Sequence, residues 1–295
     1  MSKMETISCA IVVFNEERNI EACLESAKWM DEIIVVDAFS TDRTVEICRR
    51  YTERIFQRPW QGFGPQKNFA IEQATSDWVF ILDADERIPS DLKREIQSIL
   101  EDQRPDSPVA FSVPRKNYFY GNWVMHAGCY PDYQLRLFRR GVGKLNDEEP
   151  HNKFIFEGRS GVLQTPLEHF TERTIDDHFR KFRNFTTLAA QERGKTKQHV
   201  RWADLLIRPI FTFYKYYIVR YGYKDGMPGF LISVFASMYT FVKYAKLWEQ
   251  TSGVDQYRLK AGISQVEETT ERPFTVPNKK SFEKAKLTGI GKKKF

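Results

Sequence analysis

The sequence contains few cysteines and none in a pattern that holds a structural metal. No C-x-x-C pair occurs, and the four cysteines lie far apart. They are Cys9, Cys23, Cys48 and Cys129. This spacing argues against a zinc cage and predicts a reduced, cytoplasmic setting. The opening residues, MSKMETISCAIVVF, show no signal-peptide cleavage pattern, so we predict no export.

Two glycine-rich phosphate-binding patterns are also missing. Neither G-x-x-x-x-G-K-[ST] nor G-x-G-x-x-G follows the first apolar stretch. In P-loop NTPases and dinucleotide-dependent oxidoreductases, these glycines let backbone amides approach a phosphate. Their absence argues against both classes.

Most of the chain has no excess of one charge. The formal net charge is +6, and residues 277–295 alone contribute +6, from seven lysines and one glutamate. Such a tail suits an acidic partner, either an anionic membrane face or nucleic acid. The alternative is a solvated, disordered end.

The first hundred residues alternate apolar strand patterns with helical ones. We predict strands at 6–13, 32–37, 54–57 and 78–82. Asn15 is the expected N-cap of the first helix, whose apolar residues recur at helical spacing. These residues are Ile20, Cys23, Leu24 and Ala27. The alternation predicts an α/β fold with a mostly parallel sheet that is covered by helices on both faces.

The remainder of the chain divides by composition. We predict a catalytic domain over 1–170, with a donor-binding half (1–104) and an acceptor-side half (105–170). Residues 171–250 are helical and aromatic, and 251–295 form a loose basic tail. The uncharged stretch from 229 to 242 is shorter than the roughly 20 residues that span a bilayer. We therefore predict helices that lie partly in the membrane interface, with an ordinary buried hairpin as the alternative.

Two acids, Asp83 and Asp85, follow the fourth predicted strand. Ligands of open α/β sheets bind at the carboxyl ends of strands, and residues i and i+2 of an extended chain face the same way. Two carboxylates in this position suit Mg²⁺ or Mn²⁺ that substrate phosphates also hold. Alone the pattern is weak, because such acids also cap helices or face solvent.

Asp37 ends the second predicted strand, at the same rim, and begins the hydroxyl-rich turn DAFSTDRT. A carboxylate here can accept a hydrogen bond from a base N–H or a ribose hydroxyl. The alternative is that Ser40, Thr41 and Asp42 only cap the next helix.

Four segments resemble family 2 glycosyltransferases of the A-type fold, and in particular the bacterial lipopolysaccharide-core β-1,4-glucosyltransferases. They are IVVFNEERNIEACLES, DEIIVVDAFSTDRTVEI, GFGPQKNFAIEQATSDWVFILDADE and YPDYQLRLFRR. The resemblance covers about residues 6–250. It implies a nucleotide-diphospho-sugar transferase fold with a C-terminal aromatic helical extension.

The resemblance also implies roles for particular residues. Asp85, with Asp83, would bind the metal that bridges the donor diphosphate. The residues implied to contact the donor are Phe14, Asn15, Glu16, Asp37, Lys67, Asp83 and Ala84.

An inverting transfer needs a base for the acceptor hydroxyl, and Asp132 is the first candidate. Relatives often have His followed by an acid at 151–152, whereas this chain has His151 and Asn152. Asn cannot act as a base. The other candidates are Glu148, Glu149 and Glu157, and the residues expected to contact the acceptor are Tyr130, Arg136 and His151. His169 is a further possible ligand or acceptor contact.

The leading hypothesis is a metal-dependent, inverting hexosyltransferase that acts at the cytoplasmic membrane face on a lipid-linked saccharide, such as lipopolysaccharide core. The expected donor is a UDP-sugar with glucose as the expected hexose, and we expect no nucleic-acid partner. One alternative is a haloacid-dehalogenase-type phosphatase, but Arg87 stands where that family needs Thr or Val. Another is a membrane-associated protein that keeps the fold without catalysis.

Overall fold

Strands and helices alternate through the first hundred residues, as the apolar pattern predicts. The computed structural model describes residues 5–102, 104, 106–146, 153–196 and 199–252. The predictions for Glu148, Glu149, His151, Asn152 and the lysine-rich tail lie outside these described residues. The order of elements is β1 (Ile7–Val13), α1 (Ile20–Ala27), β2 (Glu32–Asp37), α2 (Thr44–Cys48), β3 (Ile55–Gln57), α3 (Phe63–Glu72), β4 (Trp78–Asp83), β5 (Glu86–Arg87) and α4 (Ser90–Glu101).

Four parallel strands bring the predicted acids to one rim. Strands β3, β2, β1 and β4 lie side by side in that order, all parallel. In register, Val13 lies opposite Asp37, and Val12 lies opposite Asp83. The two acids therefore flank the carboxyl end of β1, one on each side.

The second part of the sheet is mixed and was not resolved into strands by the sequence pattern. Strand β8 is antiparallel to both β4 and β6, and β12 runs parallel to β6 and antiparallel to β5. The pairing of β6 with β8 shifts between Phe111 and Ser112, so that Arg136 falls in a bulge. The strands are β6 (Ala110–Phe119), β7 (Asn122–Trp123), β8 (Asp132–Arg139), β9 (Gly143–Leu145), β10 (Phe154–Phe156), β11 (Ser160–Val162) and β12 (Leu167–Glu172).

The core around the sheet has two parts because side chains of a strand alternate between the faces of the sheet. From β1, Cys9 and Ile11 pack on one side with Leu92 and Ile96 of α4. Ala10 belongs to the other side, which includes residues of α3. Helices on both faces of a mostly parallel sheet, followed by C-terminal helices, confirm the predicted fold class.

The loop between β1 and α1 differs from the prediction. Helix α1 begins at Ile20 after an N-cap at Asn19, so the assignment of Asn15 as the cap was wrong. Asn15 has a φ of 54° and lies in the turn that follows β1. Its side chain serves the neighbouring loop instead, as described below. The four predicted buried residues of α1 are confirmed.

In the part of the chain that the structure describes, four α-helices follow the sheet: α5 (Ile175–Gly194), α6 (Trp202–Leu205), α7 (Ile207–Tyr214) and α8 (Gly226–Thr251). A π-helical turn and a 3₁₀ turn separate α7 from α8. The sequence GMPG forms the first turn of α8 despite its two glycines and proline. Within the described residues, one helical stretch, Gly222–Thr251, is long and apolar enough to cross a membrane, with a mean hydropathy of 1.2 and 22% of its most apolar window buried.

An apolar surface, which we call the α7 patch, covers α6, α7 and the residue between them. Each of its side chains is more than half exposed. Contiguous apolar exposure of this kind marks a surface that contacts a partner or a membrane. The α7 patch consists of Trp202, Leu206, Ile207, Ile210, Phe211 and Tyr214.

Candidate active site

Asp37 is a buried carboxylate at the end of β2. It accepts hydrogen bonds from the backbone N–H of Ser40 at 3.1 Å and from the hydroxyl of Ser40 at 2.5 Å. Gln57 of β3 donates to its other oxygen at 2.9 Å. Its bonds to Ser40 therefore shape the turn at this rim, and a nucleotide contact by Asp37 stays a prediction.

The loops that follow β1 and β2 are bonded to each other. The backbone N–H of Asn15 donates to the Ser40 hydroxyl at 2.8 Å, and the Asn15 side-chain oxygen accepts from the Thr41 N–H at 2.8 Å. The N–H of Glu16 donates to the Thr44 hydroxyl at 2.8 Å. These bonds fix Asn15 and Glu16, two of the predicted donor-binding residues, beside the turn that Asp37 begins.

Asp83 is held by two cations. Lys67 of α3 lies 2.6 Å from one of its oxygens, and Arg136 of β8 lies 2.6 Å from the other. Burial disfavours the charge on Asp83, but Arg136 and Lys67 outweigh it and hold the pKa of this carboxyl well below its ordinary value. Lys67, which the resemblance implies to contact the donor, therefore lies against Asp83, and its contact with the donor stays a prediction.

Asp85 faces different partners because the chain turns at Ala84 and Asp85. An extended strand end, as predicted for these residues, is therefore wrong. Nε2 of His169 and Nζ of Lys181 each lie 3.5 Å from Oδ2 of Asp85. Burial disfavours the charge, but His169 and then Lys181 outweigh it and lower the pKa of Asp85 well below its ordinary value.

Asp132 lies at the start of β8, directly opposite Arg115 of β6. Arg115 donates to one of its oxygens from Nε at 2.9 Å and from a terminal nitrogen at 2.5 Å, and Gln134 donates to the other at 2.8 Å. Burial opposes the charge, yet Arg115 and these hydrogen bonds hold the pKa of Asp132 below its ordinary value. Asp132 is therefore ionised at neutral pH, which is the form that accepts a proton.

Glu86 connects the ion pairs of Asp83 with those of Asp132, and the sequence pattern did not reveal this role. This fully buried carboxylate lies 2.5 Å from Arg136 and 3.4 Å from Arg115. Asp83, Glu86 and Asp132 are thus connected through two arginines. Two features of the sequence could have indicated this network. Glu86 is a third acid directly after Asp83 and Asp85, and Arg136 is a charged residue within the apolar part of β8. Neither feature identifies the partner of the charged side chain.

A second connection runs from Asp85 to Asp132. Nδ1 of His169 lies 2.6 Å from the side-chain oxygen of Asn117, and the Asn117 amide is 3.4 Å from Asp132. Because that amide also donates to the Cys129 carbonyl at 2.8 Å, its oxygen faces the histidine and Nδ1 carries the proton. His169, a candidate ligand in the sequence, is therefore oriented at Asp85.

The predicted acceptor contacts are only partly brought together. The guanidinium of Arg136 is buried against Asp83 and Glu86. This arrangement does not show Arg136 facing an acceptor, and an acceptor contact by Arg136 stays a prediction. Tyr130 is half-buried and packs edge-on against Trp123, with ring centroids 5.8 Å apart. His151 lies outside the described residues.

Glu16 extends the acidic part of the site. Burial, with smaller effects from Asp85 and Asp42, raises the pKa of Glu16 to about 7, against the opposing effects of Asn19 and Lys181. Its carboxylate accepts a hydrogen bond from the Asn19 amide at 2.8 Å. Glu16, a predicted donor contact, and Asp85, a predicted metal ligand, therefore influence each other electrostatically.

A divalent metal fits this set of donors only if substrate phosphate and water supply the rest of its coordination. Among the described residues, no group of three or more His, Cys, Asp and Glu is arranged to hold a metal. Asp85 offers carboxylate oxygens and His169 an imidazole, which leaves most coordination positions to phosphate and water. This is the way in which Mg²⁺ is commonly bound at phosphate sites.

Comparisons with known proteins identify the family to which the sequence is similar. The family model described as "Glycosyl transferase family 2" matches residues 8–170. The chain is 30% identical over 251 residues to the lipopolysaccharide core biosynthesis glycosyltransferase LpsC of Rhizobium meliloti, an alignment that covers 83% of this chain and 92% of LpsC. It is 27% identical to an uncharacterized glycosyltransferase of Rickettsia typhi, over 83% of this chain and 88% of that protein.

Among solved structures, the mannosyltransferase PcManGT from Pyrobaculum calidifontis, in complex with GDP-Man and Mn²⁺, matches 90% of this chain and 82% of that chain. The identity is 14% and the TM-score is 0.45.

Proposed function

The chain belongs to glycosyl transferase family 2, and from that premise we propose that it is a metal-dependent, inverting hexosyltransferase. The proposed donor is a UDP-sugar, UDP-glucose first among them, and the proposed acceptor is a lipid-linked saccharide. The description of LpsC as a lipopolysaccharide core enzyme supports this class of acceptor. The phosphatase and non-catalytic alternatives receive no support from the family.

The proposal rests on the acids that lie together at the carboxyl ends of the parallel strands. Asp37 and Asp83 flank the end of β1, and Asp85 lies two residues beyond Asp83. In this arrangement Asp37 binds the nucleoside, while Asp83 and Asp85 serve the diphosphate end of the donor. Asp85 and His169 would hold a Mg²⁺ or Mn²⁺ ion, which supplies charge stabilisation to the leaving diphosphate.

The protein side chains perform the remaining steps. The bonded loops at Asn15 and Asp37 orient the nucleoside. Lys67 and Arg136 keep Asp83 ionised and fixed in place. Asp132 takes the proton of the acceptor hydroxyl as that oxygen attacks the anomeric carbon, and the bond from this carbon to the phosphate oxygen breaks.

A donor screen by thermal shift tests the proposal. A nucleotide that binds the native state raises the apparent melting temperature, with a stabilisation of about 2.7 kcal/mol at about 100 times its Kd. We expect UDP-glucose or another UDP-sugar to raise the Tm, and Mn²⁺ to enlarge the rise. GDP-sugars serve as the nucleotide control. A rise with GDP-sugars alone would reassign the donor, and no rise with any nucleotide sugar would contradict the proposal.

We further propose that the enzyme is peripheral on the inner face of the cytoplasmic membrane, with the α7 patch in the interface. The double substitution Ile210→Ser with Phe211→Ser should lower the bound fraction in flotation with phosphatidylglycerol vesicles. The expected loss of affinity is about tenfold or more, because withdrawing each such side chain from water contributes about 1.5–3 kcal/mol. Both residues are more than half exposed, so the fold should persist.

The matched control for this experiment is Ile155→Ser, which removes an apolar side chain that is 61% exposed on β10. It should leave flotation unchanged. Equal flotation of wild type and the double variant would show that the α7 patch does not contact the membrane.

A further inference from the structure

Lys181 extends from the C-terminal helices into the acidic site. It belongs to α5, beyond the residues that the family model matches. Its Nζ lies 3.5 Å from Asp85 and donates to the carbonyl of Thr171 at 2.6 Å. A helix outside the matched segment therefore contributes a positive charge beside the acidic pair.

The contacts of Lys181 differ from those of the other lysine in the site. Lys67 lies 2.6 Å from Asp83 with 16% of its side chain exposed, so its charge is committed to that carboxylate. Lys181 is 41% exposed, and its 3.5 Å separation from Asp85 exceeds the 2.7–2.9 Å typical of a charge-assisted hydrogen bond. An ammonium has three donors, and among the described residues Thr171 is the one acceptor within hydrogen-bond distance.

We infer that Lys181 binds the diphosphate of the donor and stabilises it as the leaving group. This inference rests on the proposed function, because it requires a nucleoside-diphosphate sugar next to Asp85. As the bond between the anomeric carbon and the phosphate oxygen breaks, its electron pair stays on the diphosphate. A fixed ammonium at this point meets the negative charge that develops there.

Capping and packing hold helix α5, which carries Lys181, in a fixed position. Thr174 caps the helix by accepting from the N–H of Asp177 at 3.1 Å. About one turn before Lys181, the ring of His178 stacks on Phe235 of α8, with centroids 4.1 Å apart. Lys246 of α8 donates to the Arg183 carbonyl at 2.9 Å. The apolar helix α8 thereby holds the helix that carries Lys181.

The test compares UDP with uridine, which lacks the phosphates. Calorimetric titrations of the full chain with Mn²⁺ present give the Kd of each probe. Lys181→Gln should weaken UDP binding about tenfold to a hundredfold, as expected for the loss of a hydrogen bond to a charged group. It should leave uridine binding unchanged, and Lys181→Arg should recover most of the UDP affinity.

Arg180→Gln is the matched control. It removes one positive charge from the neighbouring residue of α5, whose side chain is 64% exposed and pairs with Asp177. UDP binding to this variant should equal that of wild type. If UDP binds Lys181→Gln as tightly as wild type, or if UDP and uridine weaken equally, the inference is overturned while the proposed function stands. If wild type binds no nucleoside diphosphate, both fall.

Discussion

The substitution Asp85→Asn is expected to abolish the effect of Mn²⁺ on donor binding. Asparagine keeps the shape of the side chain but removes the charge, and Lys181, 3.5 Å away, remains as a positive neighbour that opposes a divalent cation. Even outer partners of a metal site contribute about 10–100-fold to affinity. We therefore expect the Mn²⁺-dependent affinity for UDP-glucose to fall by at least about a hundredfold, as measured by calorimetric titration with Mn²⁺ and with EDTA.

Asp91→Asn provides the control for this measurement. Asp91 is an exposed acid in the first turn of α4 and pairs with Arg94. Its substitution changes the net charge equally, so it should leave the Mn²⁺ dependence intact. Were Asp85→Asn to keep the full Mn²⁺ effect, the ion would have to be held by other groups, and the assignment of the pair would fail.

The charges of the site explain why the acids remain ionised although they are largely buried. Desolvation raises the pKa of Asp83, Asp85 and Asp132, and in each case neighbouring cations reverse the effect. A charged group that is buried without a partner is costly. The cations are thus required by the fold, and they also place positive charge where an anionic donor would enter.

The parallel half of the fold could be predicted because each of its strands is a continuous apolar segment followed by a helical repeat. The register of β1 with β2 and β4 then places Asp37 and Asp83 at one rim. Local patterns carried this part of the prediction. They failed at Asn15, where the chain adopts a positive φ and the side chain bonds to Thr41 in a loop 26 residues away.

The mixed half could not be predicted in the same way. Its pairings are between distant residues, as when Arg115 meets Asp132 across antiparallel strands. Glu86 acquires its partners only when β6 and β8 lie beside β4 and β5. Lys181 approaches Asp85 from a helix almost one hundred residues later in the chain, and nothing in the spacing of the sequence indicates that contact.

The substitution Asp132→Asn should leave donor binding intact and remove sugar transfer. Asp132 is the candidate base, it is connected to Glu86 through Arg115, and 28% of its side chain is exposed. A positioned base contributes about 10²–10⁴-fold to a rate. We expect kcat for transfer to lipid-linked acceptor to fall by this factor while the Kd of UDP-glucose stays within about twofold, since no donor contact is lost.

The fold should tolerate this change because Arg115 keeps Glu86 at 3.4 Å as a counter-charge after Asp132 is neutralised. Since the pKa of Asp132 is lowered, the wild-type base is ionised at neutral pH, and the rate should not fall until the pH drops below the ordinary range of an aspartate. Glu157→Gln is the control, because Glu157 is an exposed alternative base that follows β10. Loss of transfer in Glu157→Gln with full transfer in Asp132→Asn would place the base at Glu157, since an amide at 132 cannot accept the acceptor's proton.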